Sequence, residues 1–120
     1  MTKQQVFSPA ASAYIRFIDQ RRTIEATSLP LASNERDVLE VIAIRALANT
    51  PLTITELMAM SEIASPATIH RKIDQLRELG MVDTVFEGNN RRTKYLVPTQ
   101  AAHDYFDQVG KVMQQAISAT

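Results

Sequence analysis

Between Leu52 and Val97 the apolar positions recur first at helical spacing and then at every second residue, so the stretch reads as helix, turn, helix and β-hairpin. The second helix is the firmest element. Ile69, Ile73, Leu76 and Leu79 form a single stripe that must face a core. Ser65 can accept from the free N–H groups of the first turn, and Pro66 stands where its missing N–H costs nothing. Gly80 is available for the left-handed residue that closes a helix, so the spacing predicts a helix over 65–79. At about 100° per residue from Ile69, the opposite arc carries Ala67, Thr68, Arg71, Asp74, Gln75 and Glu78, with His70 and Lys72 on its shoulders.

Upstream, Thr53-Ile54-Thr55-Glu56 has the spacing at which hydroxyl and carboxylate satisfy each other's first-turn N–H groups. A short helix Ile54–Ser61 is expected, packing through Leu57, Met58 and Met60, with only the turn Glu62–Ala64 before the next helix. Downstream, Met81, Val82, Val85 and Phe86 alternate with Asp83 and Thr84, Glu87-Gly88-Asn89-Asn90 supplies a turn, and Thr93–Val97 resumes as a strand. Arg91, Arg92 and Lys94 crowd the tip and second strand of this hairpin.

Three longer helices lie outside this region, two before it and one after. Ser8-Pro9 can open a helix to about Ala26 with Tyr14, Phe17, Ile18 and Ile24 as its stripe around the polar Asp19, Arg22 and Glu25. After Pro30, Ser33 or Asn34 caps a helix from Glu35 to about Ala48, in which Val38, Leu39, Val41, Ile42, Ile44 and Leu47 leave little polar face, so it is expected to be the buried centre. Thr99 caps a last helix to about Ser118, where Ala102, Tyr105, Phe106, Val109, Val112, Met113, Ala116 and Ile117 recur at three- and four-residue spacing. That is more apolar surface than a terminal helix exposes to water, so the first and last helices are expected to pack across a two-fold axis on a second chain. Packing against their own domain is the alternative.

The fold expected is mainly α with a small β-hairpin wing: one domain over 1–120, with dimerisation helices 8–27 and 99–118 around a winged helix-turn-helix core, 28–98. At 120 residues and 45% hydrophobic, the chain can bury a real core. No run approaches the roughly 18 apolar residues of a membrane span, and the N-terminus lacks the apolar region of a signal peptide, so no membrane partner and a cytoplasmic location are expected. Thirteen basic and thirteen acidic residues cancel, but not evenly along the chain. Residues 28–64 set Arg36 and Arg45 against Glu35, Asp37, Glu40, Glu56 and Glu62, whereas 65–97 set Arg71, Lys72, Arg77, Arg91, Arg92 and Lys94 against Asp74, Glu78, Asp83 and Glu87. Positive charge therefore collects on the second helix and the hairpin.

A small, polar and then basic helix arc suits the major groove of double-stranded DNA, where short side chains permit close approach and Arg or Lys reach guanine edges or phosphates. Ser65, Ala67, Thr68, His70, Arg71 and Lys72 are the candidates there, and Arg91, Arg92 and Lys94 are candidates for the negative potential of the minor groove. A solvated helix face and a solubilising hairpin tip would use the same residue types.

In the order of its motifs the chain resembles the winged-helix regulators of the multiple-antibiotic-resistance (MarR) type. The resemblance rests on Ser33–Leu39, the helix pair, Leu79-Gly80-Met81-Val82, the hairpin ending Arg91-Arg92, and Leu96-Val97-Pro98-Thr99, and it covers about residues 28–105. It implies a homodimeric transcriptional regulator, usually a repressor, on a palindromic operator, with the helix matching Ser65–Leu79 in the major groove and the wing arginines in the minor groove. Arg92 lies seven residues before Thr99, where the family has its wing arginine, while Asn90 stands where an Asp commonly precedes the arginine pair. The resemblance also implies that the junction of terminal helices and DNA-binding lobe could hold a small aromatic effector, against Tyr14, Phe17, Tyr105, Phe106 and Met113. The same residues would serve a plain dimer core.

Other classes fare worse. With no cysteine and two histidines more than thirty residues apart, neither a metal site, another cofactor nor a catalytic constellation is expected. His103 and Asp104 are adjacent on a helix and cannot face each other. A winged helix that packs its recognition helix on a protein and binds no nucleic acid is the alternative function; neutral net charge and the acidic Asp74 and Glu78 fit it, whereas the basic clusters fit DNA.

Overall fold

A computed structural model describes residues 5–119 of the chain. Five helices and one hairpin follow in the order α1 (Pro9–Ser28), α2 (Ser33–Leu47), α3 (Ile54–Met58), α4 (Pro66–Glu78), β1 (Val82–Phe86), β2 (Lys94–Pro98) and α5 (Gln100–Ser118). They fall into two compact units, one of α1 with α5 from Tyr105 onward, the other spanning Leu31–Asp104.

In the larger unit, α2 packs on α4 and β2, α3 packs on α4, and α4 meets β1. Val38, Leu39, Ile42, Leu57, Ile69, Ile73, Leu76 and Leu96 are its largest fully buried side chains. The strands pair antiparallel, with Val82 opposite Pro98 and Phe86 opposite Lys94. The outer edge of β2 is tied down as well, because Leu96 N–H donates to Leu52 O at 2.8 Å.

Two helix ends in this unit close in the same way. At α2, Thr50 N–H reaches back to Arg45 O at 2.9 Å and Asn49 N–H to Ala46 O at 3.1 Å, with Asn49 at φ +58°. At α4, Met81 N–H bonds Leu76 O at 2.9 Å and Gly80 N–H bonds Arg77 O at 3.0 Å, with Gly80 at φ +74°. Both are Schellman closures, in which a left-handed residue lets the chain turn back and satisfy orphan carbonyls. The second also delivers Met81, buried, to the start of the hairpin. Thr99 then clasps the turn: its hydroxyl donates to Gly80 O at 2.6 Å and its N–H to Met81 O at 3.1 Å.

The smaller unit is held differently. Glu25 is only 5% exposed despite its charge, and its carboxylate accepts from Tyr105 Oη at 2.9 Å and lies 3.4 Å from Arg21 Nε. Arg16 donates from its guanidinium to Ala116 O at 3.1 Å, a cation on a carbonyl of the last turns of α5. The helical pattern places Glu25 on the polar face of α1, and the structure buries it instead. Burial is tolerable because the carboxylate is hydrogen-bonded and faces a cation.

Several other expectations need correction. α2 is not buried all round: Ile44 is 63% and Leu47 87% exposed. Ile44 lies about 200° from Ile42 around the helix, beyond the arc that α4 and β2 cover. The cap of α2 is Ala32 rather than Ser33 or Asn34, because the Glu35 carboxylate takes the Ala32 N–H at 2.9 Å and the helix starts at Ser33, two residues before Glu35. α3 stops at Met58 rather than Ser61, since Met60, Ser61 and Ile63 N–H bond Leu57, Ala59 and Met60 carbonyls in a succession of tight turns. Leu79 is half exposed rather than part of the core stripe: it keeps helical φ and ψ as the C-cap but lies about 80° around α4 from Ile69, at the edge of the buried face. Among the described residues no helix is long and apolar enough to cross a membrane.

Candidate nucleic-acid interface

α4 separates its two faces cleanly. Ile69, Ile73 and Leu76 are fully buried, which fixes the rotation of the helix and leaves Ser65, Pro66, Ala67, His70 and Arg71 exposed, with Thr68 and Lys72 half-buried. The first turn is rigid by construction. Ser65 Oγ accepts from Thr68 N–H at 3.2 Å and donates to Thr68 Oγ1 at 2.9 Å, so both hydroxyls are oriented before any partner arrives. One turn on, His70 Nδ1 stands 3.3 Å from Asp74 Oδ2, both side chains about half exposed, so one of the two acidic groups on this arc faces an imidazole.

The helix before it is set by Thr53 and Glu56. Glu56 N–H donates to Thr53 Oγ1 at 3.1 Å and Thr53 N–H to Glu56 Oε1 at 2.9 Å, the reciprocal box that the sequence predicts. The Thr53 N–H, then its hydroxyl, holds the Glu56 carboxyl below its ordinary value, with Arg45 adding a smaller pull in the same direction.

At the hairpin tip, Asn90 Oδ1 accepts from Arg92 N–H at 2.9 Å, an Asx turn that shapes the backbone where the family pattern would have an Asp. Arg91, Arg92 and Lys94 are exposed. Arg91 Cζ lies 5.4 Å from the centroid of the Phe86 ring and Lys94 Nζ 5.3 Å from it. The sequence pattern offers Phe86 only as a strand residue, although an aromatic ring four residues before Asn90, beside an otherwise polar turn, is a signal. The structure thus brings the six α4 candidates onto one capped helix and the three wing candidates onto one hairpin.

The aromatic candidates divide. In the smaller unit, Tyr14, Phe17 and Met113 line an apolar cleft of about 650 Å³ together with Pro9, Ala10, Ala13 and Ile117. Tyr105 and Phe106 are not among its lining; their rings pack on each other at 5.5 Å, and Tyr105 is engaged with Glu25. Among the described residues no group of three or more His, Asp or Glu side chains comes together as metal ligands would.

No protein-family model and no curated protein matches the chain. Solved structures do. A MarR-like transcriptional regulator from Thermotoga maritima superposes with a TM-score of 0.67 at 16% identity, covering 92% of this chain and 74% of the other. A second Thermotoga maritima transcriptional regulator gives 0.66 at 14% identity over 92% and 73%. NadR, solved in complex with 4-hydroxyphenylacetate, gives 0.57 at 15% identity over 99% and 83%. With its motif order, capped helix pair and hairpin, the chain has the fold of the MarR-type winged-helix transcriptional regulators.

Proposed function

We propose that the protein is a sequence-specific DNA-binding regulator of transcription, a homodimeric repressor that lays α4 in the major groove and the 87–94 wing in the minor groove of a palindromic operator. The observation that carries the reading is the division of α4: a buried stripe fixes it in place, while a small, capped N-terminal turn followed by Arg71 faces outward. Ser65, Ala67, Thr68, His70, Arg71 and Lys72 then contact bases and phosphates, and Arg91, Arg92 and Lys94 follow the minor groove. Helices over 8–27 and 99–118 supply the dimer, a role supported by the exposure of Tyr14, Ile15, Met113 and Ile117. The fold shared with transcriptional regulators supports the same class, and a cytoplasmic location goes with it.

The exposed arc of α4 is polar, which disfavours the alternative in which this helix packs on a protein partner. The apolar cleft at Tyr14, Phe17 and Met113 is the place for a small aromatic effector, a reading supported by the aromatic acid bound to NadR.

Two substitutions test the DNA contacts. Arg71→Ala should cost about 1–3 kcal/mol of discrimination if the guanidinium reads a guanine. An equal loss on all sequences would mean that it grips only phosphate. Arg92→Ala should weaken binding and flatten the dependence of log affinity on log salt by about one unit for each phosphate the side chain neutralises. Unchanged affinity for both variants would overturn the assignment.

A further inference from the structure

The unusual feature of the hairpin is that two of its three cations share one aromatic ring. Phe86 is the last residue of β1 and stands opposite Lys94, the first residue of β2. The turn between them folds Arg91 back over the same ring, so Arg91 and Lys94 both lie within the roughly 6 Å at which a ring face attracts a cation. Phe86 itself is half-buried and lines a small cleft with Ala46, Pro51, Tyr95 and Val97, which roots the ring in the body of the larger unit.

We propose that Phe86 is a positioning residue for DNA binding, an aromatic shelf that pre-orders Arg91 and Lys94 toward the phosphates of a duplex. This rests on the DNA-binding reading above and goes beyond it by naming what orients the wing. An exposed Arg or Lys loses much rotamer freedom when it grips a phosphate, and a shelf removes part of that loss beforehand. Stacking is compatible with the grip. A guanidinium uses its face on the ring and keeps its in-plane N–H donors at its edge, and an ammonium over a ring still has donors pointing away. The Asx turn at Asn90 shapes the backbone on which Arg92 sits, whereas Arg91 and Lys94 depend on the ring.

The test compares wild type with Phe86→Leu, Phe86→Trp, the Arg91→Gln/Lys94→Gln pair, and that pair carrying Phe86→Leu. Binding is measured on a mixed-sequence DNA duplex at low salt, and folding by thermal midpoint. Phe86→Leu should bind about three- to tenfold more weakly, Phe86→Trp as well as wild type or better, and Phe86→Leu should add nothing once both cations are gone. A second readout does not involve DNA. The side-chain methylene protons of Arg91 and Lys94 should show ring-current shifts in wild type and in Phe86→Trp that vanish in Phe86→Leu. Phe86→Leu binding like wild type, Trp failing to rescue, or a loss that persists without the two cations overturns the proposal while leaving the DNA-binding reading intact. Wild type that holds no duplex at all overturns both.

Discussion

The two units of the chain solve the problem of apolar surface in opposite ways. Among the described residues, every buried hydrophobic side chain except Ala116 lies in the Leu31–Asp104 unit, where α4 shows water an almost wholly polar face. The α1/α5 unit leaves Tyr14 62% and Ile117 64% exposed and relies on polar ties, Tyr105 to Glu25 and Arg16 to Ala116. The larger unit has a closed core of its own, although Ile44 and Leu47 on α2 stay open to water. The α1/α5 unit displays the surface that the proposed dimer covers, since a contiguous exposed apolar patch of this kind marks an interaction site.

Placing a charge in that surface should sharpen the contrast most. Met113→Glu, half exposed in the single chain, would be driven into an apolar interface in the dimer at a cost of several kcal/mol. Sedimentation should then report a monomer whose thermal midpoint no longer depends on concentration, whereas wild type should be a dimer with a concentration-dependent midpoint. A wild-type monomer would remove the dimer from the account.

In the larger unit the opposite kind of change should matter. Ile73→Ala deletes a fully buried side chain between α4 and its neighbours and should cost about 2–5 kcal/mol by denaturant unfolding. A loss under about 1 kcal/mol would mean that this stripe does not hold α4 in place. Gly80→Ala should cost about 1–2 kcal/mol, entirely conformational, because φ is +74° and an added Cβ would meet nothing within 4 Å.

The smallest effect belongs to the α3 cap. Thr53→Ala should cost about 1 kcal/mol near neutral pH. Because the folded Glu56 carboxyl titrates below its ordinary 4.5, its contribution is fully present above that value and is lost as pH falls through the lower folded one. The difference between wild type and Glu56→Gln should therefore shrink on acidification below about 4.5 and stay flat above it.

What the sequence discloses follows the same division. Capping chemistry is local, so Ser8, Ser65, the Thr53–Glu56 box and Gly80 are legible and stand where the pattern puts them. Helical periodicity locates the α4 core but overstates Leu79, which keeps helical geometry yet sits at the margin of the stripe, about 80° from Ile69. It also overstates the burial of α2, because apolar character reports what a face could bury and not what is there to cover it: Ile44 and Leu47 stay open to water while α4 and β2 cover the opposite side. Glu25 and Phe86 escape because their roles depend on partners distant in sequence or across a turn, Tyr105 for one and Arg91 with Lys94 for the other.

The most direct measurement of the central claim is selection of purified wild-type protein on a randomised duplex DNA pool at near-physiological salt, with sequencing of the retained fraction. The account predicts enrichment of an inverted repeat whose half-sites lie about one helical turn apart, the signature of two recognition helices related by a two-fold axis. Retention without any enriched sequence, weak and abolished by modest salt, would contradict it and point to a protein partner instead.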